Sequence, residues 1–258
     1  MGSSTLRYLV TAAICVLFNP APAGADIVSL LPRIKPAVVG VGSFHPLASP
    51  RIKFMGTGFG VADGHYVVTN AHALPSLLDT AKGETLAIFV REGEEVRARK
   101  AEKIATDAEH DLALLKIEGP PLPPLRIGQF SDAREGMTYY ITGYPLGTYL
   151  GFRAATHRAG LAAVVPVYTP PGSTKALNPK LIRQAQAPFL IFQLDAVAYP
   201  GNSGSPLYDG ESGEVVGVIN SVFIKSTKEN ALQDPSGITY AIPGQYVRGL
   251  LDKAGLQP

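Results

Sequence analysis

Residues 56–74 read GTGFGVADGHYVVTNAHAL. Phe59 and Val61 alternate with glycine, and Tyr66 to Thr69 form an aromatic and β-branched run that suits a pleated strand. Between them, Asp63-Gly64 is a two-residue hairpin signal, because a tight hairpin turn needs left-handed backbone that Gly adopts freely and Asp tolerates. The second strand runs out at His72, which Ala71 and Ala73 flank. A histidine there is positioned by a sheet yet left accessible, although such a residue is more often structural than catalytic.

Outward from this hairpin the same texture continues. AVVGVGSF, TLAIFV, LALLKI, TYYITGY, FLIFQL, EVVGVINSVFI and ITYAIP are short apolar segments separated by Gly, Pro and polar turns. That pattern indicates an all-β sandwich or barrel. Two helices frame it. Ile27, Leu30, Leu31 and Ile34 fall at i, i+3, i+4 and i+7 and stop at Pro36. Near the other end, Val247, Leu250, Leu251 and Ala254 share a face between Pro243 and Gly255. The Pro- and Gly-rich residues 119–136 read as a linker between two β lobes, about 36–118 and 137–242, with the closing helix over 243–254. Residues 169–180, TPPGSTKALNPK, read as an exposed insertion.

The chain has 258 residues, enough to bury a sizeable core. Its first 25 residues carry Arg7, an apolar run from Tyr8 to Phe18 and Ala23-Gly24-Ala25, the pattern of a secretory signal peptide cut after Ala25. Residues 26–258 then form the exported domain, periplasmic or secreted. The single cysteine, Cys15, lies inside the signal, so the exported part holds together without disulfides and without thiolate chemistry. Losing Arg7 leaves 22 of the 23 Lys and Arg against 21 Asp and Glu. No basic stripe points to nucleic acid, and no later stretch has the length to span a bilayer. No metal or other cofactor is implied.

Residues 195–210 read DAVAYPGNSGSPLYDG. Gly, Pro and Asn around Ser203 are ordinary turn chemistry, and equally what a nucleophilic serine needs where backbone amides must face a reacting oxygen. Such a serine requires a base and an acid that orients the base. His72 is the candidate base. Asp111, at the mouth of the apolar run DLALLKI, is a candidate acid, because a carboxylate there must find a donor. Asp107, Asp132 and Asp195 compete with it. The order histidine, aspartate, serine excludes the α/β-hydrolase arrangement, in which serine comes first within G-x-S-x-G.

Taken together, GTGFGVADGHYVVTNAHAL, HDLALLKI, ITGYPLG, QLDAVAYPGNSGSPLYDGESGEVVGVINS and GITYAIP resemble the trypsin-like serine proteases of the bacterial HtrA/Deg type, over roughly residues 36 to 250. The resemblance implies two six-stranded β-barrels of the chymotrypsin type with the site in the cleft between them. It makes His72 the base, Asp111 the orienting acid and Ser203 the nucleophile, with the N–H groups of Gly201 and Ser203 as the oxyanion hole. Val197 is then the floor of the primary specificity pocket, suited to a small or medium apolar P1 residue. The strand through Asn220 and Ser221 (219–223) would receive a protein or peptide substrate as an added strand. Two departures stand out: Ser205 replaces a usual glycine, and Tyr199 a usual asparagine. Too few residues follow 250 for a PDZ domain. The expected activity is serine endopeptidase. The rival expectation is a binding module on the same fold, its oxyanion site distorted by Ser205 or by the loop over residues 196–202.

Overall fold

The computed structural model describes residues 26–147, 151–167, 188–221 and 237–258. The expected signal segment, residues 222–223 and the expected insertion at 169–180 therefore lie outside the described residues, with the expectations attached to them. Helix α1, Ile27–Ile34, is capped by Asp26, whose side chain accepts from the Val28 amide at 3.4 Å. Six strands follow: β1 Val38–Phe44, β2 Ile52–Val61, β3 Tyr66–Asn70, β4 Thr85–Glu92, β5 Glu95–Asp107 and β6 Leu112–Ile117. A second set comprises β7 Thr138–Gly143, β8 Ala155–Pro166, β9 Leu190–Asp195, β10 Pro206–Asp209, β11 Val215–Asn220 and β12 Ile238–Pro243. Helix α2, Gly244–Lys253, closes the chain.

Each set is a closed antiparallel barrel, in the orders β1-β2-β3-β6-β5-β4 and β10-β11-β12-β9-β8-β7. Closure removes every free sheet edge within the barrel. Alternation along each strand then divides the apolar residues between two destinations. Val39, Val41, Val67, Ile88 and Leu115 fill the first barrel, while Tyr139, Ile141, Phe192, Leu207 and Ile219 fill the second. Residues of the opposite parity, among them Val38, Leu112, Leu114, Val215 and Val218, form a third core between the barrels, which α1 and α2 seal with Leu30, Ile34, Val247, Leu250 and Leu251. This is why DLALLKI is almost wholly apolar: both faces of β6 are buried.

The hairpin at residues 62–65 differs from the two-residue turn that Asp63-Gly64 suggested. Val61 and Tyr66 are paired, leaving a four-residue loop in which Ala62 and Gly64 take positive φ of 55° and 85°. The linker explains the choice. Leu122 N donates to Gly64 O at 2.9 Å, and a Cβ on Gly64 would stand 2.1 Å from the Leu122 carbonyl oxygen. Linker and turn are thus fitted to one another by direct backbone contact.

Candidate active site

Four segments from both barrels converge on the cleft. His72 sits in a single 3-10 turn, Ala71–Ala73, immediately after β3. Asp111 precedes β6 with φ of 54°, a left-handed conformation that a non-glycine residue holds only where its surroundings fix it. Here they do. The Asp111 carbonyl accepts from Ala71 N at 3.0 Å and from Asn70 Nδ2 at 3.1 Å. Its carboxylate accepts from the His72 amide at 2.9 Å and meets His72 Nδ1 at 2.5 Å. The aspartate therefore grips both backbone and ring of the histidine, which fixes Nδ1 as the donor and leaves Nε2 as the acceptor. Both side chains stay about one-quarter exposed.

The competing aspartates are engaged elsewhere. Asp107 bonds His110 Nδ1 at 2.7 Å, Asp132 accepts from the Gln129 amide at 2.7 Å, and Asp195 ends β9 in solvent. Burial opposes the charge on Asp107, but the bonds from the His110 side chain and backbone outweigh it and hold the carboxyl below its ordinary 3.8.

Ser203 lies in the loop between β9 and β10, 4 % exposed. The loop is folded tightly by Gly201 and Gly204, with φ of 98° and 88°. A Cβ at Gly201 would stand 2.4 Å from the Tyr144 carbonyl oxygen, and one at Gly204 1.9 Å from that of Thr57, so neither position admits a side chain. Among residues 201–205, the amides of Asn202, Gly204 and Ser205 donate to Tyr199 O, Ile219 O and Asn202 O at 2.9–3.0 Å. Those of Gly201 and Ser203 donate to none of the described residues. The Pro200 carbonyl is held by Leu146 N at 2.8 Å, which turns the Gly201 N–H to the other side of that peptide. Two unspent donors thus flank the serine.

The hydroxyl of Ser203 does not bond His72. It is hydrogen-bonded to the Ser221 hydroxyl and lies 3.4 Å from the Ser221 amide. His72 Nε2 has no hydrogen-bond partner among the described residues. Asn220, named from the sequence with Ser221 as substrate-binding, turns its buried side chain to the acid: Nδ2 donates to Asp111 Oδ2 at 2.7 Å. Val197 is half-buried in the loop after β9, and its neighbours Ala196 and Ala198, unlike it, pack on the second-barrel core. Ala196 is pinned to the start of β12 by N–H to Gly237 O, 3.0 Å, and by Thr239 Oγ1 to its carbonyl, 2.8 Å.

Thr57 was not singled out from the sequence. Its hydroxyl donates to Gly201 O at 2.7 Å and accepts from Tyr144 N at 3.1 Å, while its amide donates to Ser203 O at 2.8 Å. A Cβ on the adjacent Gly56 would come within 3.0 Å of the Ser203 carbonyl oxygen and 2.8 Å of Ala73 Cβ. Strand β2 passes so close to both the histidine turn and the serine loop that only glycine fits there, and this was the signal hidden in GTGFG. Among the described residues, no group of His, Cys, Asp and Glu has the geometry of a metal site.

A family model for the trypsin-like peptidase domain matches residues 56–218. The chain is 28 % identical over 199 residues to a probable periplasmic serine endoprotease, DegP-like, of Halomonas elongata, covering 77 % of this chain and 35 % of that protein. It is 30 % identical over 188 residues to the protein of the same name from Hahella chejuensis, covering 73 % and 33 %. The chain thus spans about a third of the length of the curated relatives it matches. A crystal structure titled Rv3671c protease, inactive form, superposes with a TM-score of 0.61 over 88 % of this chain and 92 % of the other, at 22 % identity.

Proposed function

The chain belongs to the trypsin-like peptidase domain family, and from that premise we propose that it is an exported serine endopeptidase in which His72, Asp111 and Ser203 form the catalytic triad. The observation that carries this reading is the doubly bonded His72–Asp111 pair beside a serine whose own amide, like that of Gly201, has no partner among the described residues. His72 Nε2 takes the proton of Ser203 Oγ as the oxygen attacks a peptide carbonyl, and the new C–O bond gives a tetrahedral intermediate. The amides of Gly201 and Ser203 receive the negative charge that develops on the carbonyl oxygen; one such donor typically accounts for about a hundredfold to a thousandfold in kcat. The imidazolium then protonates the departing amine as the C–N bond breaks, leaving an acyl-enzyme. Water, deprotonated by the same nitrogen, releases the acid.

Asp111 holds the tautomer and faces the imidazolium charge throughout. Val197 is the pocket floor, and since it offers no carboxylate, small or medium apolar P1 residues are favoured over Lys and Arg. The substrate backbone lies along the edge at Asn220 and Ser221. Export to the periplasm is supported by the signal-like residues 1–25 and by the relatives' being named as periplasmic. Among the described residues no helix is long and apolar enough to cross a membrane.

A second reading, a cleavage-incompetent binding module, draws on the Ser203 hydroxyl being turned to Ser221. A fluorophosphonate label followed by mass mapping separates the two. The protease reading expects modification of Ser203 that disappears in Ser203→Ala, together with casein turnover. An unlabelled Ser203 would establish the binding module instead.

A further inference from the structure

The dipeptide Asn220–Ser221 at the end of β11 reaches both ends of the proposed relay. Asn220 Nδ2 holds the Asp111 carboxylate at 2.7 Å, and the next residue holds Ser203 by hydroxyl and, at 3.4 Å, by amide. We propose that Ser221 is a latch: its hydroxyl parks the Ser203 side chain in a rotamer turned off His72, and a substrate strand seated on the Asn220–Ser221 edge releases it. This rests on the reading of Ser203 as the nucleophile and adds a positioning residue to it.

The chemistry of the contact dictates the effect in either direction. A serine hydroxyl has one proton. If Ser203 donates it to Ser221, the proton is not offered to His72 Nε2. If Ser203 accepts instead, one of its two lone pairs is engaged by the Ser221 hydroxyl and the other faces the Ser221 amide at 3.4 Å. Deprotonation by His72 requires the hydroxyl to leave Ser221, a movement that rotation about χ1 provides.

The surroundings make this a local choice. Ser203 is held by its carbonyl to Thr57 N at 2.8 Å, and the glycine after it by its amide to Ile219 O at 2.9 Å, so the loop backbone is fixed while the side chain turns. The imidazole is independently fixed by Asp111. The competition is therefore between two positions of one rotor, one held by Ser221 and one facing His72. A hydrogen bond of ordinary net strength biases such a choice by about twofold to tenfold. Ser221 also follows β11 on the edge where the substrate is proposed to lie. A peptide pairing there must displace the Ser221 contacts in the act of presenting its carbonyl to Ser203. Binding and arming become one event.

The test compares wild type, Ser221→Ala and Ser221→Thr in the rate constant for fluorophosphonate labelling of Ser203, with no peptide present. Removing the latch hydroxyl is expected to speed labelling about twofold to tenfold. The threonine variant, which keeps a hydroxyl, is expected to be slower than the alanine variant. Labelling of wild-type Ser203 with no acceleration in Ser221→Ala, or equal rates for the alanine and threonine variants, would overturn the latch and leave the protease reading intact. Absence of labelling in all three proteins would overturn both.

Discussion

Thr57 contributes one hydroxyl to two partners in the opposite barrel, the Gly201 carbonyl and the Tyr144 amide. Replacing it with valine keeps the shape and leaves both buried groups unsatisfied, a loss of about 1–3 kcal/mol. Because Gly201 belongs to the proposed oxyanion site, Thr57→Val is expected to lower kcat about tenfold to a hundredfold with little change in KM. Steady-state kinetics with a peptide substrate, alongside urea unfolding, checks both parts; an unchanged kcat in a destabilised protein would reduce Thr57 to a structural pin. At this scale the sequence was informative about chemistry and poor about partnership. His72, Asp111 and Ser203 were legible as candidates because reactive residue types in a fixed order resemble a known arrangement. Asn220 pointed to substrate rather than to Asp111, because which way a side chain turns at a strand end depends on the opposite barrel. Asp111 could not be separated from Asp107 by residue type, since each is an aspartate near a histidine; the left-handed turn at residue 111 separates them.

Among the elements, the strands that the apolar texture missed are β5, β8 and the short β10. Residues 95–107, EVRARKAEKIATD, alternate charged and small side chains, and their outward face is solvated while the backbone completes the first barrel. Charge density hid a strand that hydrogen bonding requires. In β8, His157 stands opposite Ile141 in the inward register of the second barrel, and its buried Nε2 has no partner among the described residues. Burial pushes this imidazole below its ordinary 6.5, so the folded protein keeps it neutral where the unfolded chain has begun to take up a proton. The His157 contribution to stability is therefore complete above that ordinary value and declines as pH falls from it toward the depressed folded value. Urea midpoints are expected to drop as pH falls below 6.5, and to drop less in His157→Gln. Equal declines in the two proteins would assign the effect to other groups. The same logic on the acid side applies to Asp107, whose lowered pKa supports the fold above 3.8 and ceases to do so as the carboxyl protonates.

For the whole molecule, the union of the barrels is what the sequence left to inference: eight apolar runs suggested β lobes, and only the family resemblance supplied the count of six strands in each. The third core and a set of rings make that union. Tyr144 stacks on Phe152 at 4.3 Å, and Phe152 meets Phe54 and Phe89 edge-on. Burial raises the Tyr144 phenol to about 12, and its hydroxyl donates to Val38 O at 3.2 Å across the interface. On the far side, Tyr246 of α2 stacks on His110 at 3.8 Å and meets Phe189 edge-on, while its hydroxyl accepts from Leu190 N at 3.2 Å. One side chain thus joins the turn before Asp111, the start of β9 and the closing helix. Tyr246→Ala is expected to cost about 2 kcal/mol, seen as a lower urea midpoint; a midpoint within error of wild type would show that α2 is held by its apolar face alone.

Since the imidazole and its carboxylate hang from one barrel and the serine from the other, neither half carries a working fragment of the machinery. Gentle denaturation that slides the halves apart should extinguish hydrolysis while each barrel still gives its full β signal in circular dichroism. Turnover is then a more sensitive gauge of how the two lobes mate than any spectrum of either.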